Sequence, residues 1–195
     1  MIARLSVLVL AGSLCASGAQ AVEQVTVGNT KVVVRTVTGQ FGEELRVLQL
    51  QDDVYHDELI ETDPESATKL VFLDDTTLTL GPDARVVLDR FVYDPDPSKA
   101  EFVMTATQGL FRFATGKLPK SAYRLNTPAA TIGIRGTVLT VAVLPAADGP
   151  GVTVEVAVEH GEAMVRTCEG GLERVIPAGQ TIVVGTDQTA VCPQL

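Results

Sequence analysis

The residues best able to do chemistry in this 195-residue chain are few, and their spacing works against them. Its only histidines are His56 and His160. His56 sits in an acidic stretch with Asp52, Asp53, Asp57 and Glu58, and one imidazole among carboxylates is a donor set that can take a metal ion. The order of those carboxylates fits no loop with fixed ligand positions, so a solvated acidic edge is the simpler reading. His160 precedes Gly161 and reads as a turn residue rather than a base. The serines after the leader described below are Ser66, Ser98 and Ser121, and none lies in the Gly-x-Ser-x-Gly elbow that would expose an activated nucleophile. Gly116-Lys117 has the look of the end of a phosphate-binding loop. However, Gly109 stands too far upstream, and Leu118 replaces the hydroxyl residue that would meet magnesium. Tyr93, Tyr123, Phe111 and Phe113 could line a groove, but with aromatics at 5% they read as core. The expectation is a protein without catalytic machinery, cofactor or metal.

The elements that would carry these residues are strands. Val152, Val154, Val156 and Val158 alternate with polar or small residues, as do Leu78 and Leu80 with Thr77 and Thr79, the period of a half-buried strand. Further strands are expected over 31–37, 45–50, 68–73, 85–91, 101–107, 110–113, 123–127, 137–144, 163–166 and 181–184. Asp74-Asp75, Gly81-Pro82, Asp94 to Pro97, Asp148 to Gly151 and Pro177 to Gly179 punctuate them as turns. No window carries a helical stripe, although a short helix near 61–67 is conceivable. The fold class is therefore all-β: many short strands in one domain over 22–195, stacked as a roll, a solenoid-like array or a sandwich.

The N-terminus predicts the compartment. Arg4 is followed by an apolar run, Leu5 to Leu14, too short to span a bilayer, and then by Ala19-Gln20-Ala21, small residues suited to signal peptidase. Residues 1–21 read as a signal peptide cleaved after Ala21, which places the protein in the periplasm or outside the cell. No later run is long enough for a transmembrane helix. Loss of Arg4 leaves 14 basic against 24 acidic residues, a field that repels nucleic acid. Cys168 and Cys192 are the cysteines that survive cleavage. In an oxidising compartment they form a candidate disulfide, with two buried thiols as the alternative.

Three stretches are more specific than a generic β-domain. One runs from Asp57 to Pro95 and includes Asp74-Asp75-Thr76 between two apolar strands. Another is Gly109-Leu110-Phe111-Arg112-Phe113-Ala114-Thr115-Gly116. The third is Asn126-Thr127-Pro128-Ala129-Ala130-Thr131-Ile132-Gly133-Ile134-Arg135-Gly136-Thr137, followed by Val156 to Val165 with Gly161 inside it. In this order they resemble the FecR domain family, from about Thr38 to Val165. Asp75 stands where the family more often has Gly, at a position that calls for a left-handed turn residue. Gly133 and Gly136 inside a strand pattern point to a bulge or a close backbone approach. Arg135 between apolar neighbours calls for an acidic or carbonyl partner, and Pro128 fixes the entry to its strand.

The resemblance implies a β-rich periplasmic domain. Its founding members resemble anti-sigma regulators of iron uptake that cross the inner membrane and listen to an outer-membrane receptor. With a cleavable leader in place of the cytoplasmic segment and membrane helix, this chain is expected to be a non-enzymatic interaction or sensory module that binds another cell-envelope protein. The residues the resemblance singles out, as structural or partner-binding, are Asp74, Thr76, Gly109, Thr127, Pro128, Gly133, Ile134, Arg135, Gly136, Thr137 and Gly161. The alternative is a structural, matrix or adhesin-like surface domain.

Overall fold

Alternating valine, leucine and threonine put one side chain in two on a buried face, and such strands must pack a second sheet or curl on themselves. The computed structural model describes residues 24–186 except 95, 97, 148, 169, 170 and 172. Among the described residues there are fourteen strands and no helix. They are β1 (Thr26–Val34), β2 (Val37–Phe41), β3 (Glu44–Val47), β4 (Asp53–Tyr55), β5 (Leu59–Thr62), β6 (Ala67–Phe72) and β7 (Thr77–Leu80), then β8 (Arg85–Val92), β9 (Glu101–Ala114), β10 (Tyr123–Asn126), β11 (Ala130–Pro145), β12 (Val152–Thr167), β13 (Glu173–Pro177) and β14 (Thr181–Thr186). The expected signal segment and Cys192 lie outside the described residues.

All fourteen strands share one hydrogen-bonded network folded into two layers. One layer runs β3, β2, β5, β8, first half of β9, β10, first half of β11, second half of β12, β13. The other runs β4, β1, β6, β7, second half of β9, second half of β11, first half of β12, β14. Among the described residues only the β9–β10 pair is parallel. The three long strands β9, β11 and β12 therefore belong to both layers. Each passes between them at a glycine with positive φ: Gly109 (104°), Gly136 (64°) and Gly161 (75°). Glycine adopts these angles without the Cβ penalty other residues meet, and a bulge adds the local bend that re-aims the strand.

The core fills the space between the layers. Phe72 of the second layer stacks on Phe91 at 6.2 Å and meets Phe102 edge-on at 4.7 Å, both from the first layer. Phe113 and Tyr123 bridge the layers in the same way at 5.9 Å. Such edge-to-face pairs add to what burial of the rings already contributes. Val154, Val156 and Val158, the inward half of the alternation, join the same contiguous apolar cluster.

The all-β reading holds, and the strands are longer than the sequence pattern indicates. The segments 101–107 and 110–113 are one strand, as are those around 152–158 and 163–166. The turn expected at His160-Gly161 is instead a bend inside β12, because Val138 pairs with His160 on one side of it and Arg135 with Glu162 on the other. The conceivable helix near 61–67 is the end of β5, a turn and the start of β6. Glu65 there takes a φ of 60°, which breaks any helical run.

Candidate functional site

The motif residues fall into two groups that do different work. The first is a buried polar pin. Asp74 and Thr76 are fully buried at the β6–β7 turn, where Asp75 takes the expected left-handed φ of 67°. Asp74 accepts from the Thr76 amide at 3.0 Å, from the Thr76 hydroxyl at 2.6 Å and from the Tyr123 hydroxyl at 2.8 Å. The Tyr123 oxygen in turn accepts from the Leu118 amide at 3.0 Å, and Thr76 Oγ1 accepts from the Gly116 amide at 3.0 Å. Burial first, then the bond to Asp74 and its charge, pushes the Tyr123 phenol up to about 12. Every buried polar atom of the pin has a partner, as the low dielectric demands. A Cβ at Gly116 would strike the Asp74 carbonyl oxygen, so glycine is required there. Gly116-Lys117, which has a phosphate-loop look in sequence, is thus a clamp: Lys117 donates its amide to Asp74 O at 2.7 Å and its ammonium pairs with Asp75.

The second group is the β10–β11–β12 corner. Thr127, Pro128, Ala129 and Ala130 form the tight connection from β10 to β11. The Thr127 amide and hydroxyl both donate to Ala130 O, at 2.9 and 2.7 Å, and Ala130 N donates back to the same hydroxyl at 3.0 Å. Cys168 at the end of β12 ties in through its amide to Ala129 O at 3.0 Å. Cys168 is disulfide-bonded. At the crossover, Thr137 donates its hydroxyl to Glu162 O at 2.7 Å and its amide to Thr115 Oγ1 at 3.1 Å. A Cβ on Gly161 would fall well inside 3.0 Å of the Gly136 carbonyl oxygen, and one on Gly109 would strike Ala84. Ile134 is buried in the core. Among the eleven motif residues, Arg135 presents a half-exposed charged side chain. Glu162 faces it at 3.8 Å, the acidic neighbour the sequence calls for, held loosely.

Around Arg135 the outer surface of the first layer forms a groove of about 260 Å³. Register lines it up: Arg124 pairs with Gly133, and Gly133 with Met164, while Asn126 pairs with Thr131, and Thr131 with Arg166. Gly133 has no side chain to fill the floor, so its neighbours leave a hollow. Lys120, Arg124, Arg135 and Arg166 border it. Sequence reasoning singled out Arg135 and passed over the other three cations. The available signal was the outward alternation of Arg124 and Arg135 on their strands, but only the register brings position 166 beside them.

The acidic stretch around His56 does not assemble into a metal site. His56 Nδ1 meets Asp57 Oδ2 at 2.9 Å, and among the described residues no three ligating side chains converge. Glu58 turns inward. Fully buried, it accepts from Arg46 Nε and a terminal nitrogen of the same guanidinium, at 3.1 and 2.8 Å, and from the Tyr55 amide at 2.8 Å. Burial raises its carboxyl above the usual range against the pull of those donors. Tyr93 is exposed, whereas Phe111, Phe113 and Tyr123 are core. Among the described residues no helix is long and apolar enough to cross a membrane.

A two-layer β module with glycine crossovers, a buried Asp-Thr-Tyr pin and an outer basic groove is the class the geometry defines. The FecR protein family model matches residues 58–164, more than half of the chain, and the chain belongs to that family. Two crystal structures from Parabacteroides distasonis, each of a provisionally assigned anti-sigma factor, are similar to it. One, at 2.50 Å resolution, has 14% identity and a TM-score of 0.51. The other, at 1.65 Å, has 13% identity and a TM-score of 0.49. Each likeness covers 68% of this chain and 57% of the other, so the chain spans little more than half the length of these relatives. No curated protein sequence matches it.

Proposed function

We propose that this chain is exported by a cleaved leader and acts in the cell envelope as a non-catalytic FecR-type interaction or sensory module, its partner being another envelope protein. The observation that carries the reading is the division of labour within the motif. Gly109, Gly136, Gly161, Asp74, Thr76 and Thr127 are consumed by the frame, while the strand bearing the most specific run turns Arg135 outward beside an open groove. The basic leader followed by Ala19-Gln20-Ala21 supports export. The name carried by the Parabacteroides structures supports a regulatory role, although at this identity the likeness reaches the fold alone.

In-cell crosslinking of the tagged, exported protein, followed by mass spectrometry of what it captures, tests the reading. Repeated capture of one receptor or membrane regulator, above an unrelated exported control, is the expected result. Recovery of the protein in washed extracellular matrix, with no enriched partner, would favour the structural alternative instead.

A further inference from the structure

We propose that the groove over Gly133 is a carboxylate-binding site that receives an extended acidic segment of a partner polypeptide, one with Asp or Glu at positions i and i+2. The proposal rests on the reading of the chain as a polypeptide-binding module and says what that surface recognises.

Charge is the first ground. The chain is acidic overall, at −9, yet four of its fifteen basic residues border this one groove. Two are unspent: among the described residues Lys120 and Arg124 make no ion pair. Arg135 is held only by Glu162 at 3.8 Å. Arg166 is committed, donating to Glu173 at 3.1 and 2.6 Å. A concentration of cations on an acidic protein focuses a local positive field that attracts an anionic partner.

The second ground is an orphaned buried donor. Asn126 lines the same groove at 2% exposure, and its Nδ2 finds no hydrogen-bond partner among the described residues. A buried amide left unpaired destabilises the site, and a ligand oxygen entering the groove would relieve that cost.

Shape and spacing choose the ligand. A volume of about 260 Å³ suits one or two side-chain heads rather than a large cofactor. A shallower extension past Gly136, Gly161 and Pro177 shares Lys120, Ser121 and Arg135 with it, so the depression runs on as a trough. Arg124 faces Gly133, and Arg135 is two residues along, which makes the two arginines diagonal neighbours on adjacent strands. The backbone positions of such neighbours sit roughly 7–8 Å apart, close to the spacing of about 7 Å between same-face residues of an extended strand. Guanidinium forks match carboxylates in a bidentate manner.

The test uses the exported full-length protein and a fluorescent peptide alternating Glu with Ser, read by anisotropy at low ionic strength. The Glu peptide is expected to bind. Its Gln counterpart is expected to bind at least tenfold more weakly, and R124Q/R135Q is expected to weaken the Glu peptide by a similar factor. Lys31→Gln, an exposed lysine on β1, should change nothing. Gly133→Val supplies a second variant: the nearest atom to a Cβ there is Met164 Cβ at 3.7 Å, ordinary contact, so valine fits the strand while filling the floor and should also abolish binding. No binding of the Glu peptide, equal binding of the Gln peptide, or an unchanged R124Q/R135Q would overturn the proposal. Displacement by inorganic phosphate at matched ionic strength would assign the groove to free oxyanions and overturn the peptide assignment. The module reading has a separate readout: a partner crosslinked in cells equally well by wild type and R124Q/R135Q leaves that reading standing and removes this one.

Discussion

Replacing Tyr123 by phenylalanine removes one oxygen from the centre of the buried pin. The Leu118 amide, 3.0 Å from that oxygen, loses its acceptor, and Asp74 loses a donor at 2.8 Å while keeping Thr76. An unpaired buried amide costs about 1–3 kcal/mol and a hydrogen bond to a charged group contributes about 1.5–3, so the two partly overlapping losses come to about 2–4 kcal/mol. The ring itself still fills its place against Phe102 and Phe113, so cavity terms are small. The pH dependence separates this account from generic damage. The Tyr123 phenol is raised from 10.0 to about 12, chiefly by burial and then by Asp74. Below pH 10 both folded and unfolded tyrosine carry the proton and the stabilisation is complete. As pH rises the unfolded chain ionises first, so stability is lost up to about pH 12. Two pK units correspond to about 3 kcal/mol. Urea midpoints by far-ultraviolet circular dichroism, taken from pH 8 to 11.5 for wild type and Y123F, should therefore show a gap that is wide at pH 8 and narrows steadily above pH 10. A gap below about 0.5 kcal/mol at pH 8, or one that stays constant to pH 11.5, would refute the pin as described.

The crossover glycines give a steeper test. Gly161→Ala places a Cβ against the Gly136 carbonyl at a φ of 75°, so thermal unfolding should show a loss above about 3 kcal/mol or no folded protein. Gly42→Ala, with a φ of 59° and open space around it, should cost only about 1–2 kcal/mol. Glu58 has a raised folded pKa, so its contribution is fullest below the ordinary value of 4.5 and is lost as pH rises. The stability of wild type relative to E58Q, followed by urea titration, should accordingly fall as pH rises from about 4 to 7. Peptide mapping without reductant should recover Cys168 joined to Cys192, and C168S should lower stability by about 3 kcal/mol. Intact-mass measurement of the exported protein should find Val22 as its first residue.

Strand identity was legible wherever side chains alternate cleanly, as in β6, β7, β8 and the first half of β12. It was illegible in β4, three residues long and containing Asp53, and in β13, which carries Glu173, Arg174 and Pro177 at the sheet edge. There the edge position tolerates residues that depress strand propensity. Gly109 and Gly161 misled in a specific way. A glycine between two apolar runs signals a turn, but here positive φ bends a continuing strand from one layer into the other. The role of Asp75 and the bulge beside Gly136 could be read locally, since each depends on its own backbone, whereas Gly133 keeps a regular register and holds no bulge. The pin and the groove could not. Asp74 reaches Tyr123 across 49 positions, and Arg124 comes near Arg166 only through the register of three strands.

The division between frame and recognition surface is the claim on which the rest depends. Photo-crosslinking residues placed singly at Thr131, in the groove, and at Lys69, on the outer face of the other layer, test it in intact cells. The account predicts that Thr131 captures one envelope protein reproducibly and that Lys69 does not. Equal capture from both positions, or capture from Lys69 alone, would contradict it.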